Sequence, residues 1–335
     1  MVNLGVIGCG YWGPNLIRNF YSLHDAQVKL CCDKDEARLK HIALLYPKVS
    51  VTKNADDIFN DVSIDAVCIA TPVSTHYQLA KKALESDKHV LIEKPFTSDS
   101  KEAQNLIEIA EKRNKKIMVG HTFEYSSSVN KIKEILESGV IGDILYISGA
   151  RLNLGLFQKD INVVWDLAPH DISILNYLLG VKPLSVQCTG VSHVRKGIED
   201  VALVVMKYPK NVFTYLHMSW LDPCKVRRFI IVGSKKMIVY DDLNSEEPIK
   251  IYDKGISQQP HYDTFGEFKL LYRYGDTHSP RVEIKEPLKE ECQHFLDCIK
   301  NNKTPRSDGK SGLRVVKIIE AAQKSLKNDG RAEKI

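Results

Sequence analysis

The sequence has no hydrophobic run long enough to cross a membrane and no marked excess of charge of one sign. Its 335 residues include 47 basic and 42 acidic side chains, which are dispersed and give a net charge of +5. A balance this mild gives no reason to expect nucleic acid or a membrane as a partner. The first residues enter a strand pattern without a charged leader or an apolar signal region, so we expect no signal peptide.

The eight cysteines lack the spacing of a disulfide framework. Cys31 and Cys32 are adjacent in a predicted strand, Cys9 lies inside a glycine motif, and no Cys-x-x-Cys pair occurs. We therefore expect free thiols and a reducing, cytoplasmic setting. The sequence also lacks a cluster of Cys or His with the spacing of metal ligands, and so we expect no bound metal.

A change of pattern along the chain predicts two domains, which the length also favours. Over residues 1–122, strand and helix patterns alternate, which is typical of a parallel sheet covered by helices. Residues 183–241 show longer strands joined by short turns, which predicts an antiparallel sheet in the second domain, residues 123–335. The last helix patterns, Lys289–Lys300 and Ser311–Leu326, could pack back on the first domain. Residues 243–280, with scattered Pro, Gly and His, are predicted to be irregular, either as a substrate-covering loop or as a plain connection.

A glycine motif links the first strand pattern to the first helix pattern. Gly8-Cys9-Gly10-Tyr11-Trp12-Gly13 follows Val2–Ile7 and would let backbone N–H groups approach a pyrophosphate at a helix N-terminus. Asp33 ends the second strand pattern 20 residues past the last glycine, where a carboxylate binds both ribose hydroxyls of NAD. We therefore expect NAD, although Lys34 and Arg38 could instead attract the phosphate of NADP. A plain glycine turn with a surface aspartate is the structural alternative.

A lysine follows the fifth strand pattern, at the sheet edge where parallel sheets bind their ligands. His89–Ile92 runs into Glu93-Lys94-Pro95, and the Lys94 ammonium would stabilise negative charge on a substrate oxygen. The preceding strand ends in Ala70-Thr71-Pro72, with His76 one turn into the next helix, in the same layer. On position alone, Lys94 could equally be a solvated surface charge.

Asp166 and His170 are four residues apart and would share one face of a helix. Pro169 suits a first helical turn and Gly180 a C-terminal stop, so the pair is predicted to lie at a helix N-terminus. His170 would act as a general base near neutral pH, with Asp166 orienting it or binding sugar hydroxyls. The structural alternative is that Asp166 caps the helix and His170 is a packed side chain.

Four further residues flank these motifs and could touch substrate. His121 ends the last parallel strand pattern, Arg151 could meet a phosphate, and Trp165 could line a sugar or base pocket, with Asn153 beside them. Each of the last three is as easily explained by packing as by ligand binding.

Taken in order, these motifs resemble those of the Gfo/Idh/MocA family of NAD(P)-dependent oxidoreductases, over nearly the whole chain. The matching elements are Gly8-x-Gly10-x-x-Gly13, Asp33, Ala70-Thr71-Pro72 with His76, Glu93-Lys94-Pro95, Gly120-His121, Asp166-x-x-x-His170 and the tail from Pro305 to Ser325. The resemblance implies an α/β protein with an N-terminal Rossmann domain, whose parallel sheet is doubly wound. A C-terminal α/β domain with a large open, mainly antiparallel sheet would follow. That sheet commonly forms dimer or tetramer contacts in the family, which implies a homodimer or homotetramer.

The resemblance also implies a role for each motif. The implied catalytic residues are Lys94, His170 and Asp166. The implied NAD-binding residues are Gly8, Gly10, Tyr11, Trp12, Gly13, Asp33, Lys34, Thr71, Pro72, His76, Glu93 and Lys94. The implied substrate-binding residues are Lys94, His121, Tyr125, Arg151, Asn153, Trp165, Asp166 and His170.

Two segments resemble members of the family that act on nucleotide sugars: Gly10-Tyr11-Trp12-Gly13-Pro14-Asn15-Leu16 and Trp165-Asp166-Leu167-Ala168-Pro169-His170-Asp171. They imply oxidation of the C3 hydroxyl of UDP-N-acetylglucosamine, or of its uronic acid, as a step toward 3-amino sugars for lipid A or surface glycans. Some similar enzymes reoxidise NADH in place with 2-oxoglutarate. A polyol or inositol dehydrogenase and a deoxysugar ketoreductase stay open as alternatives, although Val163-Val164-Trp165 replaces the glycine-richer run usual in inositol dehydrogenases. A non-catalytic NAD-binding regulator is the alternative from another class.

Overall fold

The computed structural model describes residues 1–155, 157–159, 161–258 and 270–335. The chain divides into two compact units. The first unit comprises Met1–Ser126 and Lys285–Glu320, and the second comprises Ser127–Ile284 and Ala321–Ile335. The tail segment Lys285–Glu320 thus belongs to the same unit as the N-terminal residues. The domain boundary after residue 122 stays a prediction.

The first unit contains a six-stranded parallel sheet whose strands alternate with helices. Its strands are β1 (Val2–Ile7), β2 (Ala26–Cys32), β3 (Ser50–Thr52), β4 (Ala66–Ile69), β5 (His89–Glu93) and β6 (Ile117–Gly120). The helices between them are α1 (Gly13–Tyr21), α2 (Glu36–Leu45), α3 (Asp56–Asn60), α4 (Val73–Glu85) and α5 (Ser100–Lys112). The strand order is β3-β2-β1-β4-β5-β6, and every neighbouring pair is parallel. The predicted doubly wound parallel sheet is confirmed.

The second unit contains a nine-stranded sheet that is mainly antiparallel, as the sequence predicts. Its helices are α6 (Ser127–Glu137) and α7 (Val163–Leu179). Its first eight strands are β7 (Ile144–Leu152), β8 (Ser185–Val191), β9 (Val201–Lys207), β10 (Phe213–Ser219), β11 (Val226–Gly233), β12 (Met237–Asp241), β13 (Ile249–Gln258) and β14 (Leu270–His278). The ninth is β15 (Glu333–Lys334), and the order is β14-β13-β12-β11-β7-β10-β9-β8-β15. The pair β7–β10 is parallel and the other pairs are antiparallel.

Two helices precede β15 near the end of the chain. α8 (Pro287–Lys300) lies in the first unit, and α9 (Gly309–Lys327) begins in the first unit and ends in the second. α1 and α8 pack on one face of the parallel sheet, against Leu4, Leu91 and Met118 among others. Because side chains alternate along a strand, Glu93 and Gly120 lie on the same face as Leu91 and Met118. This register turns the carboxyl group of Glu93 toward the α8 side of the sheet.

The expectation that residues 243–280 are irregular is wrong for Ile249–Gln258 and Leu270–His278, which are strands. β13 and β14 form a long antiparallel pair, in which Gly255 is opposite Arg273. Residues 259–269 of the predicted irregular segment lie outside the described residues. Side chains such as Ile256, Tyr272 and Tyr274 are exposed, so these strands lack the alternation of buried and exposed residues that signals a half-buried strand. Among the described residues, no helix combines the length and apolar character needed to cross a bilayer.

Candidate functional site

The glycine motif forms a tight turn between β1 and α1. Gly8 has φ of +98°, and a Cβ there would lie 2.5 Å from the carbonyl oxygen of Ala70. A Cβ on Gly13 would lie 1.9 Å from the carbonyl oxygen of Gly8, so neither position accepts a side chain. α1 has no side-chain N-cap and no acidic residue in its first turn. Its first N–H groups and the positive end of its dipole are therefore suited to a pyrophosphate, which fits the diphosphate of NAD.

Asp33 is tied to the glycine turn at the end of β2. Its Oδ2 accepts a hydrogen bond from the backbone N–H of Cys9 at 2.6 Å, and its Oδ1 accepts one from the N–H of Asp35 at 2.9 Å. The guanidinium of Arg38 lies 3.6 Å from Oδ2 of Asp33 and 3.4 Å from the carboxylate of Asp35. This places a fixed carboxylate beside the turn, where the ribose hydroxyls of NAD fit.

The remaining residues of the glycine motif and of the turn after β2 are more exposed. Tyr11 is exposed, and Trp12 is the N-cap residue of α1 with its ring stacked on Tyr11, with ring centroids 6.5 Å apart. Lys34 is exposed on the turn that leads into α2. Arg38 also borders the motif, because a Cβ on Gly10 would lie 3.3 Å from its Nη1. The pairing of Arg38 with two carboxylates reduces the positive charge available to a 2′-phosphate.

His76 holds together the chain segments that follow β4 and β5. Its ring is buried, with Nδ1 2.9 Å from the carbonyl oxygen of Pro95 and Nε2 2.8 Å from that of Thr71. Burial lowers the pKa of this histidine. Thr71 also accepts a hydrogen bond from the hydroxyl of Thr75 at 2.7 Å, and Pro72 precedes the first residue of α4. Both ring nitrogens of His76 are therefore engaged by the backbone, and its contact with NAD stays a prediction.

Lys94 follows β5 directly, and its peptide bond to Pro95 is cis. Its backbone N–H donates to Oε2 of Glu93 at 3.3 Å. Burial raises the pKa of Glu93 to about 7, and the positive charge of Lys94 opposes that rise. Burial and the same positive charge lower the pKa of His121 to about 3, so its imidazole is neutral. Lys94, Glu93 and His121 thus form one electrostatic cluster at the carboxyl ends of β5 and β6.

Tyr125 is packed inside the first unit. Its hydroxyl is buried, 3.0 Å from Oγ of Ser307 and 3.7 Å from Sδ of Met118. The guanidinium of Arg306 lies over its ring, 5.0 Å from the centroid. Burial raises the pKa of the phenol well above its usual value. These contacts account for Tyr125 as a core residue, and its role in substrate binding stays a prediction.

α7 carries Asp166 and His170 on one face, and both side chains are half-buried. The cap is Asn162, whose Oδ1 accepts a hydrogen bond from the N–H of Trp165 at 3.2 Å. Pro169 lies inside the helix, so its predicted place in the first turn is wrong, because α7 begins at Val163. Asp166 lies in the first turn, and the helix ends at Gly180 in the left-handed conformation with φ of +67°. Because Pro169 lacks an N–H, the carbonyl of Trp165 receives no helical hydrogen bond from it.

Trp220 is a neighbour of Asp166 that the sequence reasoning missed. Its indole N–H donates to Oδ2 of Asp166 at 3.0 Å, and the side chain is 1% exposed. Backbone bonds fix it at the end of β10: its N–H donates to the carbonyl of Asp200, and its carbonyl accepts from Gly155. The ring of Phe157 packs edge-on against it, with centroids 5.8 Å apart. A buried tryptophan needs an acceptor for its N–H, but the sequence does not show that Trp220 is buried beside Asp166.

Arg151 and Asp171 form a buried ion pair between β7 and α7. Nε of Arg151 donates to Oδ1 of Asp171 at 2.8 Å, and Nη2 donates to the same oxygen. Asp171 adjoins His170, so the pair holds this part of α7 on the sheet. Asn153 follows β7 and donates its N–H to the carbonyl of Ser219 at 3.1 Å. The phosphate contact expected of Arg151 stays a prediction, because a carboxylate already engages its guanidinium.

Within the described ranges, no group of three or more His, Cys, Asp or Glu side chains could hold a metal ion.

The first unit brings together the glycine turn and Asp33, and also Glu93, Lys94 and His121. The second unit brings together Asp166, His170 and Trp220 on and beside α7. These are the parts that a hydride-transferring enzyme needs: a dinucleotide cradle, an ammonium group, and an imidazole with a carboxylate.

Sequence-family models match both halves of the chain. The model of an oxidoreductase family with an NAD-binding Rossmann fold, GFO_IDH_MocA, matches residues 2–121, and the GFO/IDH/MocA C-terminal domain matches residues 129–239. Together they cover more than half of the chain, which therefore belongs to the Gfo/Idh/MocA family of oxidoreductases and uses NAD as its cofactor.

The individual relatives share between 20% and 27% of their residues with this chain. The chain is 27% identical over 315 residues to UDP-N-acetylglucosamine 3-dehydrogenase of Acidithiobacillus ferrooxidans, covering 93% of each protein. The structure of that enzyme matches with a TM-score of 0.81, over 98% of this chain and 99% of the other, at 26% identity. The chain is also 24% identical to myo-inositol 2-dehydrogenase of Thermotoga maritima, over 97% of this chain and 96% of the other. An oxidoreductase from Agrobacterium radiobacter in complex with NAD+, L-tartaric acid and magnesium shares the fold, with 20% identity and a TM-score of 0.81 over 99% and 98% of the two chains.

Proposed function

We propose that this enzyme oxidises the C3 hydroxyl of UDP-N-acetylglucosamine to a ketone, with NAD as hydride acceptor. The similarity to the Acidithiobacillus ferrooxidans 3-dehydrogenase, over nearly the full length of both chains, supports this choice of substrate. The observation that carries the chemistry is the face of α7 that presents His170 one turn from Asp166. The 3-keto product would feed amination to a 3-amino sugar for lipid A or surface glycans.

In this proposal His170 removes the proton of the C3 hydroxyl, because a neutral imidazole is the most effective base near neutral pH. Lys94 donates a hydrogen bond to the same oxygen and stabilises the negative charge that develops on it. Asp166 holds the sugar or the imidazole, and Trp220 fixes the orientation of that carboxylate. NAD, when bound, accepts the C3 hydride, so the alcohol loses one hydride and one proton and becomes a ketone.

The second candidate substrate is myo-inositol or another free polyol. The similarity to the Thermotoga maritima inositol dehydrogenase supports it at nearly the same level of identity. The same residues would serve both reactions, since each removes a hydride and a proton from a secondary alcohol. Only the nucleotide sugar carries a UDP group, so the two substrates differ in whether the protein must bind UDP.

A product assay decides between these substrates. Purified protein is given NAD with one of three alcohols, UDP-N-acetylglucosamine, its uronic acid or myo-inositol, and the sugar-nucleotide reactions also contain a 3-aminotransferase and glutamate. Mass spectrometry detects the product directly, because reoxidation of NADH in place by 2-oxoglutarate would hide a change in absorbance. A UDP-linked 3-amino sugar from the first substrate is the expected result. Product from the uronic acid or from inositol alone would overturn the proposed substrate.

A further inference from the structure

Two buried carboxyl groups of the first unit converge on one short segment of backbone. Oε2 of Glu93 lies 2.8 Å from the position that a Cβ on Gly120 would occupy. Glu291 of α8 accepts a hydrogen bond on Oε2 from the hydroxyl of Thr122, at 2.7 Å. Gly120 and Thr122 flank His121, so the two carboxyl groups meet the chain within three consecutive residues. No step of the proposed reaction uses either carboxyl group.

The polar atoms of this cluster are not fully paired. Oε1 of Glu93, Oε1 of Glu291 and both ring nitrogens of His121 are buried and have no hydrogen-bond partner among the described residues. A buried carboxylate without a partner is costly, and two neighbouring carboxylates also repel each other. The state of lowest free energy therefore keeps at least one proton on the two groups, which titrate as a pair.

The surrounding charges decide which group keeps the proton. Burial raises the pKa of Glu291 well above its usual value, and the negative charge of Glu93 raises it further. Glu93 is affected less, because the neighbouring positive charge of Lys94 partly offsets its burial. The titratable groups that face the pair from the adjoining elements are Cys68 on β4, Lys94 after β5, His121, Glu124 and Tyr125 after β6, and Cys292 on α8.

We propose that Glu93 and Glu291 share one proton near neutral pH, and that their single negative charge is the counter-charge that positions the Lys94 ammonium. Glu291 is the neutral member, with Oε2 accepting from Thr122. Glu93 is the ionised member, next to Lys94 in the chain. The counter-charge role rests on the proposed function of Lys94, whereas proton sharing by the pair does not.

Proton sharing is tested by the pH dependence of unfolding of the full chain. An ordinary glutamate has lost its proton in the unfolded state by about pH 5.5, whereas the native pair would retain one. The wild-type unfolding constant should therefore rise by up to about tenfold per pH unit, relative to Glu291→Gln, as pH increases from about 5.5 to 7. Glu290→Gln, which changes the exposed neighbour on α8, should follow the wild type. Urea unfolding gives these constants without any substrate.

The counter-charge role is tested by the turnover of Glu93→Gln beside that of Glu291→Gln. Glu93→Gln removes the negative charge that positions the ammonium, so kcat should fall by about 10- to 100-fold, whereas Glu291→Gln replaces a neutral carboxyl group by a neutral amide and should retain turnover. Losses of equal size in the two variants would mean that Glu93 acts only through packing. Parallel unfolding curves for wild type and Glu291→Gln would overturn proton sharing, and they decide that point even if Glu93→Gln does not fold. Failure of every substrate in the product assay would leave the unfolding result intact and would reject the proposed function instead.

Discussion

The indole N–H of Trp220 donates to Oδ2 of Asp166 at 3.0 Å, across 54 residues of sequence. Trp220 is itself immobilised by backbone hydrogen bonds and by the edge of the Phe157 ring. The bond therefore restricts the orientation of a carboxylate that lies one helical turn before His170. Under the proposed role of Asp166, this contact should affect turnover without touching the reacting atoms.

Replacing Trp220 with Phe should lower kcat/KM by about 10- to 100-fold, because a hydrogen bond to a charged group contributes about 1.5–3 kcal/mol. NAD affinity, measured by titration of protein fluorescence, should stay unchanged. Phe157→Leu alters packing on the same ring but keeps the indole N–H, and it serves as the matched control. Equal losses in the two variants would mean that packing, and not the hydrogen bond, accounts for the effect.

His170→Ala should lower kcat by about 10²–10⁴-fold, the usual contribution of a general base. The variant should bind NAD as the wild type does, since the glycine turn and Asp33 lie on other elements. Steady-state turnover and cofactor titration check these two expectations. His41→Ala changes an exposed histidine on α2 and should leave turnover unchanged. Full turnover by the His170 variant would remove it from the mechanism.

Asp33→Ala should weaken NAD binding by about 10- to 100-fold and narrow the preference for NAD over NADP. A carboxylate at this position binds the ribose hydroxyls and repels a 2′-phosphate, and its loss also removes one of the two carboxylates that pair with Arg38. Dissociation constants for both cofactors give the ratio directly. Asp35→Ala also removes one carboxylate from Arg38 but keeps Asp33. It therefore separates the release of Arg38 from the loss of the carboxylate that binds the ribose. An unchanged ratio in Asp33→Ala would contradict the assignment.

His89 at the start of β5 gives a pH prediction away from the site. Its Nδ1 accepts a hydrogen bond from the N–H of Lys116 at 3.0 Å, and burial, with help from Lys115 and Lys116, lowers its pKa to about 4. The neutral ring therefore stabilises the native state fully above pH 6.5, and this contribution falls as pH decreases toward 4. His89→Gln should flatten that part of the curve of unfolding free energy against pH. If the unfolding free energy of His89→Gln varies with pH in the same way as that of His41→Ala, His89 is not the group that causes this pH dependence.

The first unit was predictable because buried parallel strands are continuous apolar runs bounded by glycine or acidic residues. β1 and β5 fall within one residue of their predicted ends. β3 and α3, with three and five residues, are too short to show a period. In the candidate site, Lys94, Asp166 and His170 were recognisable as local motifs. Trp220 and Glu291 were not, because contacts between distant parts of the chain give them their importance.

β13 and β14 form an antiparallel pair although their sequences lack periodicity, and so their pairing was equally invisible. The place of Pro169 depends on where α7 begins. Asn162 caps that helix by accepting a hydrogen bond from the N–H of Trp165, so α7 begins at Val163, six residues before the proline. The helical preference of the sequence predicted that a helix is present, whereas the Asn162 cap determines the residue at which it starts.

The most direct test of the proposed reaction follows the hydride itself. UDP-N-acetylglucosamine carrying deuterium at C3 is mixed with NAD and excess enzyme, and the cofactor is analysed by mass spectrometry after a single turnover. We expect reduced NAD to carry the deuterium and the sugar to have lost it. A 3-keto sugar formed with unlabelled reduced NAD, or deuterium retained in the sugar nucleotide after NAD has been reduced, would contradict direct transfer from C3.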